Sequence, residues 1–243
     1  MNGKNEKNVF ELRIPTCAVL KKRISSPEYG LVAATMTYNG DQLTFFRTDF
    51  LSLERVAWDQ NEVLDRGDFH EEIPAEILES IRKNGGFFLS KNFLSKVSNG
   101  KAVADGSNPT KHLLYGEAEQ IAKSMETSEL GADIPYGAIY DTLGRWLIAT
   151  KVLSEDEWTW SPESKTEQKW LLNRDCGGWN LAELLGDIFT TEWTKEKYLN
   201  QAITREGTPF SDGEANYPAR KRYTYGCEYR HPNAKVRAFL YFK

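Results

Sequence analysis

Residues 31–49 read LVAATMTY-NG-DQLTFFRTD, and this stretch decides the fold class. Asn39-Gly40 is the favoured pair for a two-residue type I′ hairpin, because both residues accept a positive φ. A two-residue loop fixes the register. Tyr38 then opposes Asp41, Met36 opposes Leu43, Ala34 opposes Phe45 and Val32 opposes Arg47. Side chains alternate across a strand, so these residues share one mostly apolar face. The other face carries Thr35, Thr37, Gln42, Thr44 and Thr48 and reads as wet. One packed face and one solvated face are the signature of an antiparallel sheet.

Working outward, Val9–Ile14 and Cys17–Lys22 read as short strands around Pro15. From about 74 to 206 the pattern turns helical. Pro74 suits a first turn, Ile77, Leu78 and Ile81 have helical spacing, and Gly85-Gly86 ends that helix. A loop with little apolar content covers roughly 98–110. Helices are expected over 117–129 and about 136–153, the latter with Ile139, Leu143, Trp146, Leu147 and Thr150 on its apolar face. Further helices fit 163–173, 181–189 and 192–205. The chain then returns to strand-like sequence, RKRYTYGCEYR (220–230) and KVRAFLYFK (235–243), around a turn at His231-Pro232-Asn233-Ala234.

The expected fold is therefore α+β: an antiparallel sheet built from N-terminal and C-terminal hairpins, with a large helical middle segment. Residues 1–65 and 208–243 would form the sheet platform. Residues 66–207 would form the helical segment, packed with the sheet or standing as a separate domain.

A chain of 243 residues with 40% hydrophobic and 27% charged residues can bury a core, which excludes global disorder. The net charge of −4 and pI of about 5.6 exclude a basic protein read as a whole. Cys17, Cys176 and Cys227 are odd in number and far apart, with no CxxC pair, which points to a reducing compartment and away from a cysteine-rich zinc site. No apolar run has the length of a signal peptide or a membrane span, so the expected location is cytoplasmic.

The C-terminal pair of strands carries the most chemistry. With 231–234 as the loop, Arg230 opposes Lys235, Glu228 opposes Arg237, Thr224 opposes Tyr241 and Arg222 opposes Lys243. One face then holds Tyr223, Tyr225, Cys227 and Tyr229 against Val236, Ala238, Leu240 and Phe242. The opposite face holds Arg220, Arg222, Arg230, Lys235 and Arg237 around Phe239 and Tyr241. Guanidinium groups neutralise phosphates and rings stack on bases, so such a face suits single-stranded nucleic acid, RNA above all. From 217 to 243 there are seven cations against Glu228 alone. The expected function is a non-enzymatic nucleic-acid-binding protein or ribonucleoprotein subunit using these seven residues. The bland alternative is a solvated sheet face with its two rings under a helix.

The middle of the chain is biased the other way. Residues 154–193 hold nine acids against Lys165, Lys169 and Arg174. Trp158-Thr159-Trp160 lies in this acidic stretch and is the candidate contact for a protein partner, although most tryptophans of the helical half belong in a core. A protein-interaction module or inhibitor is the second functional reading. A hydrolase or nuclease built on His231 or His70 is the third. No catalytic residues, metal site or cofactor are assigned. Asp68-Phe69-His70-Glu71-Glu72 is not HExxH. Gly85-Gly86 and Gly177-Gly178 follow helices rather than strands, and no P-loop, GxGxxG or GxSxG is present.

Overall fold

The computed structural model describes residues 10–51, 73–96, 102–103, 112–154, 170–186, 191–198, 200–206, 221–232 and 234–243. The N-terminal hairpin forms as read. β2 (Gly30–Tyr38) and β3 (Asp41–Arg47) pair with Tyr38 opposite Asp41 and Ala34 opposite Phe45. Asn39 and Gly40 both take positive φ, 51° and 94°. β1 (Ala18–Ser26) pairs with β2 and forms one sheet edge. Two register shifts and the cations Lys21, Lys22 and Arg23 mark that edge, features that discourage pairing with another chain.

The sheet has six antiparallel strands in the order β1-β2-β3-β4-β11-β7. Its inner strands are β2, β3, β4 (Gly86–Ser90) and β11 (Phe239–Phe242), and its far edge is β7 (Leu130–Asp133). The class is α+β, with strands from both chain ends in one sheet. The middle of the chain adds β4 and β7 to that sheet. β5 (Ser95–Lys96) and β6 (Ala102–Val103) form a small ribbon.

Both faces of the sheet are covered, which corrects the expected wet face at Thr44 and Thr48, while Gln42 is exposed as expected and Thr35 and Thr37 are half-buried. Ala34, Met36, Leu43, Phe45, Phe88, Leu240 and Phe242 pack under α2 (Tyr115–Lys123). Ala33, Phe46, Phe87, Leu89 and Phe239 pack on the other side. That layer consists of α1 (Ala75–Asn84), α3 (Gly137–Ala149) and α4 (Leu181–Leu185). Thr44 and Thr48 are buried there, and the Thr44 hydroxyl donates to the Leu184 carbonyl. At Thr44 the polar group is thereby satisfied by a backbone acceptor, whereas the buried Thr48 hydroxyl has no hydrogen-bond partner among the described residues. α3 presents Ile139, Leu143, Trp146 and Leu147 inward, as their spacing demands, and Thr150 is half-buried. α1 ends at Gly85 in the left-handed conformation (φ 71°).

Three further expectations fail. Residues 192–205 are a hairpin and not a helix: β8 (Glu192–Tyr198) and β9 (Gln201–Glu206) pair around Asn200, whose φ is 66°. The expected C-terminal hairpin does not form either. β10 (Lys221–Gly226) pairs with β9, completing a three-stranded sheet, while β11 lies between β4 and β7. Glu228 and Arg237 are therefore not cross-strand partners. The physical reason is that residues 234–242 have better partners elsewhere. Leu94 N–H donates to the Val236 carbonyl, Ser90 N–H to Ala238, and Trp193 N–H to Lys235. β11 is apolar on both sides and suits a central strand. Val9–Ile14 reads as a strand; its described part, residues 10–14, lies outside any sheet. No helix among the described residues is long and apolar enough to cross a membrane.

Candidate functional site

Sequence reasoning assigns seven residues to one phosphate-binding face, and Arg230, Lys235, Arg237, Phe239 and Tyr241 do not share one. Arg220 lies outside the described residues. Arg222 sits in β10 opposite Arg205. Arg230 is exposed and grips Glu117 with both terminal nitrogens, at 2.9 and 3.2 Å. Lys235 holds its ammonium 4.5 Å from the centre of the Phe93 ring. Arg237 is 1% exposed, and Phe239 lies in the core beneath α3. Tyr241 is half-buried and covers Gly131 across the β11–β7 pair, where a Cβ would collide with its ring.

Of these cations Arg237 takes part, with Arg205 of β9, in a buried charge junction. The Arg237 guanidinium donates to Glu192 Oε1 at 3.2 Å, to the Lys91 carbonyl at 2.7 Å and to the Leu185 carbonyl. Glu192 also accepts from the Tyr140 hydroxyl. Burial, followed by the Glu192 charge, pushes the Tyr140 phenol well up, so it remains a donor. Beside this pair, Arg205 donates to Asp141 Oδ1 at 2.6 Å and to the Gly137 carbonyl at 2.7 Å. All four charged residues are at most 4% exposed, and each ion faces an opposite one. Buried charges require this matching.

A second, half-buried group stitches β8 to the rest. Lys195 donates to Glu119 at 2.7 Å and contacts Asp133 at 2.8 Å, tying together β8, α2 and β7. Burial opposes ionisation of Glu119, but the Lys195 ammonium prevails and holds the carboxyl below its ordinary range. The Tyr115 hydroxyl donates to the Lys195 carbonyl at 2.8 Å. These groups are arranged for structure. No cluster of three His, Cys, Asp or Glu side chains among the described residues could hold a metal ion.

No known family matches this chain. The search of family models, of curated proteins and of solved structures gives no match, so the residues alone carry the functional argument.

His231 was considered as an acid or base. Its ring packs 4.7 Å from Tyr225 and 6.2 Å from Trp193, and Nδ1 accepts from the Ala234 N–H at 2.9 Å. Burial lowers its pKa from 6.5 to about 4, so the imidazole is neutral at pH 7. The folded state then binds fewer protons than the unfolded chain between those two values. Stability from this residue is fully present above pH 6.5 and is lost as the pH falls towards 4. The loss should reach about 3 kcal/mol. Urea midpoints measured across that window should show this slope, and His231→Asn should flatten it. An unchanged slope in the variant would place the proton uptake elsewhere. His70, Trp158 and Trp160 lie outside the described residues.

One feature was missed. Trp170 is 61% exposed, with the Arg174 guanidinium 4.5 Å from its ring centre, and residues 170–173 are helical. Trp146, Trp179 and Trp193 are all buried. The signal was present in Trp170-Leu171-Leu172. Three consecutive helical residues span about 200°, so one of them must leave the core-facing stripe. Leu171 and Leu172 take the inside.

Proposed function

We propose that the chain is a protein-interaction module that docks a basic partner through its acidic, tryptophan-bearing segment, with Trp170 as the anchor. It would do so in the cytoplasm. The exposure of Trp170 is the observation that carries this reading. Covering the rest of that ring makes roughly 3 kcal/mol available, the scale of an interface hot spot. The surrounding stretch supplies long-range attraction for a cationic surface through its excess of acids, Glu192, buried against Arg237, and Glu183, paired with Lys22, excepted.

The test is affinity purification of the full chain from the cells that make it, beside its Trp170→Ala variant. A basic protein should co-purify with the wild type and dissociate with salt. Its measured affinity should fall about thirtyfold in the variant, equivalent to ~2 kcal/mol. Equal retention by both proteins would overturn the reading.

Single-stranded nucleic acid remains a second proposal because of one observation. Tyr229 is 46% exposed and stacked on Tyr225, with ring centres 5.3 Å apart, just beyond the basic run Arg220-Lys221-Arg222. On that reading the purified protein carries a raised 260/280 absorbance ratio. Tyr229→Ala should then weaken oligonucleotide binding by about 1–3 kcal/mol while leaving its salt slope unchanged.

A further inference from the structure

The sequence holds four Asn-Gly pairs: Asn2-Gly3, Asn39-Gly40, Asn84-Gly85 and Asn99-Gly100. The first and last lie outside the described residues. An asparagine before glycine is prone to lose its side-chain amide, because the unhindered glycine nitrogen can approach the carboxamide carbon. On sequence alone Asn39 and Asn84 are equivalent. Their surroundings differ at every group that the reaction uses.

Around Asn84 the reacting groups are held. Its Nδ2 donates to the Ser80 carbonyl at 2.9 Å, and its Oδ1 accepts from Arg13 at 3.1 Å. The Gly85 N–H donates to the Arg82 carbonyl at 3.4 Å, closing the end of α1. Gly85 is buried, and the Phe10 ring lies over it. The Arg13 charge polarises the carboxamide, but the nitrogen that would attack is engaged by the helix end. Asn39 and Gly40 are both exposed, and a Cβ placed on Gly40 would meet nothing within 4 Å. Among the described residues no hydrogen bond holds the Asn39 carboxamide or the Gly40 N–H. The pair lies beyond the last rung of its hairpin, Tyr38–Asp41, where local opening costs least.

We infer that Asn39 is a site of spontaneous deamidation in the folded protein and that Asn84 is shielded from it. The Gly40 nitrogen forms a bond to Asn39 Cγ, the Cγ–Nδ2 bond breaks, and ammonia leaves carrying the Gly40 proton. Water then opens the cyclic imide at either carbonyl, giving aspartate or iso-aspartate at this position. The two products differ in consequence. Asp-Gly suits a type I′ turn as Asn-Gly does, so aspartate leaves the hairpin intact. Iso-aspartate routes the main chain through the side-chain carbon. That adds an atom to a loop whose length sets the β2–β3 register. Either product places a new negative charge at the hairpin tip.

Ageing the full-length chain in mildly alkaline buffer tests this, once folded and once in urea. Peptide maps at intervals give the conversion of each asparagine, and the urea rate corrects each site for its own sequence neighbours. In the folded chain Asn39 should convert severalfold faster than Asn84 after that correction. Equal corrected rates overturn the proposal. So does an Asn39 that stays intact in the folded chain over the time that converts it in urea. The iso-aspartyl chain is then isolated by chromatography. Its denaturant midpoint should fall below the parent's, while Asn39→Asp should keep the parental midpoint. An iso-aspartyl chain as stable as the parent overturns the register consequence. An Asn39→Asp chain as unstable as the iso-aspartyl one also overturns it, because charge and not the added atom would then be the cause.

Discussion

Arg237→Ala is expected to lower the folding free energy by about 3–5 kcal/mol, read as a drop in the denaturant midpoint with the slope unchanged. The cost arises from what the substitution leaves behind. Glu192, itself 2% exposed, would keep its charge inside the protein without the guanidinium that balances it. The carbonyls of Lys91 and Leu185 would also lose a donor inside the protein. Leu185 is the last residue of α4, so its carbonyl has no partner within that helix and the guanidinium serves as its cap. The control is the double variant Glu192→Gln, Arg237→Met. It removes both charges, restores aliphatic volume and should be less destabilised than Arg237→Ala alone. A loss under about 1 kcal/mol for Arg237→Ala would place this residue at the surface, where the sequence pattern had put it.

That misplacement shows what was and was not legible. Asn39-Gly40 determines its hairpin locally, because two positive φ values and a two-residue loop leave one register. Gly85 marks the end of α1 for the same local reason. α3 was legible because four apolar residues share one helical stripe.

Residues 192–205 misled because Glu192, Lys195, Glu196 and Lys197 have good helix propensity while Trp193, Thr194, Ile203 and Thr204 favour strand. Tertiary pairing decided between them, with Lys195 N–H donating to the Pro135 carbonyl and β10 closing over β9. At the C terminus the alternation was real but the partner was not local. Nothing in RKRYTYGCEYR or KVRAFLYFK states that the first pairs with β9 and the second slots between β4 and β7. A run of cations looks the same whether it faces phosphate or an internal carboxylate. Only the position of Glu192, 45 residues upstream of Arg237, separates the two cases.

Phe45→Ala should cost about 3–5 kcal/mol, again read from denaturant midpoints. Phe45 is fully buried in β3, between Ala34 of β2 and Phe88 of β4 in register. Its ring meets Phe88 edge-on at 5.2 Å and stacks with Phe10 at 6.0 Å, so truncation empties a site enclosed by other aromatics. The cavity cannot be refilled from the adjacent strand. Phe45 also lies over Gly86, but a Cβ on that glycine would collide with the Phe46 carbonyl oxygen, which is backbone and remains after the substitution. Gly86→Ala should therefore deepen the loss in the Phe45→Ala background rather than rescue it. Phe10 offers the remaining contrast. It is half-buried and held at the sheet end, so Phe10→Ala should cost less than Phe45→Ala, while Phe45→Ala removes the ring on which Phe10 stacks. The two substitutions should consequently be non-additive, with the double variant less destabilised than the sum of the singles. A Phe45→Ala loss below about 1 kcal/mol would mean that the sheet face under α2 is open to water and that the side assigned to β3 is reversed.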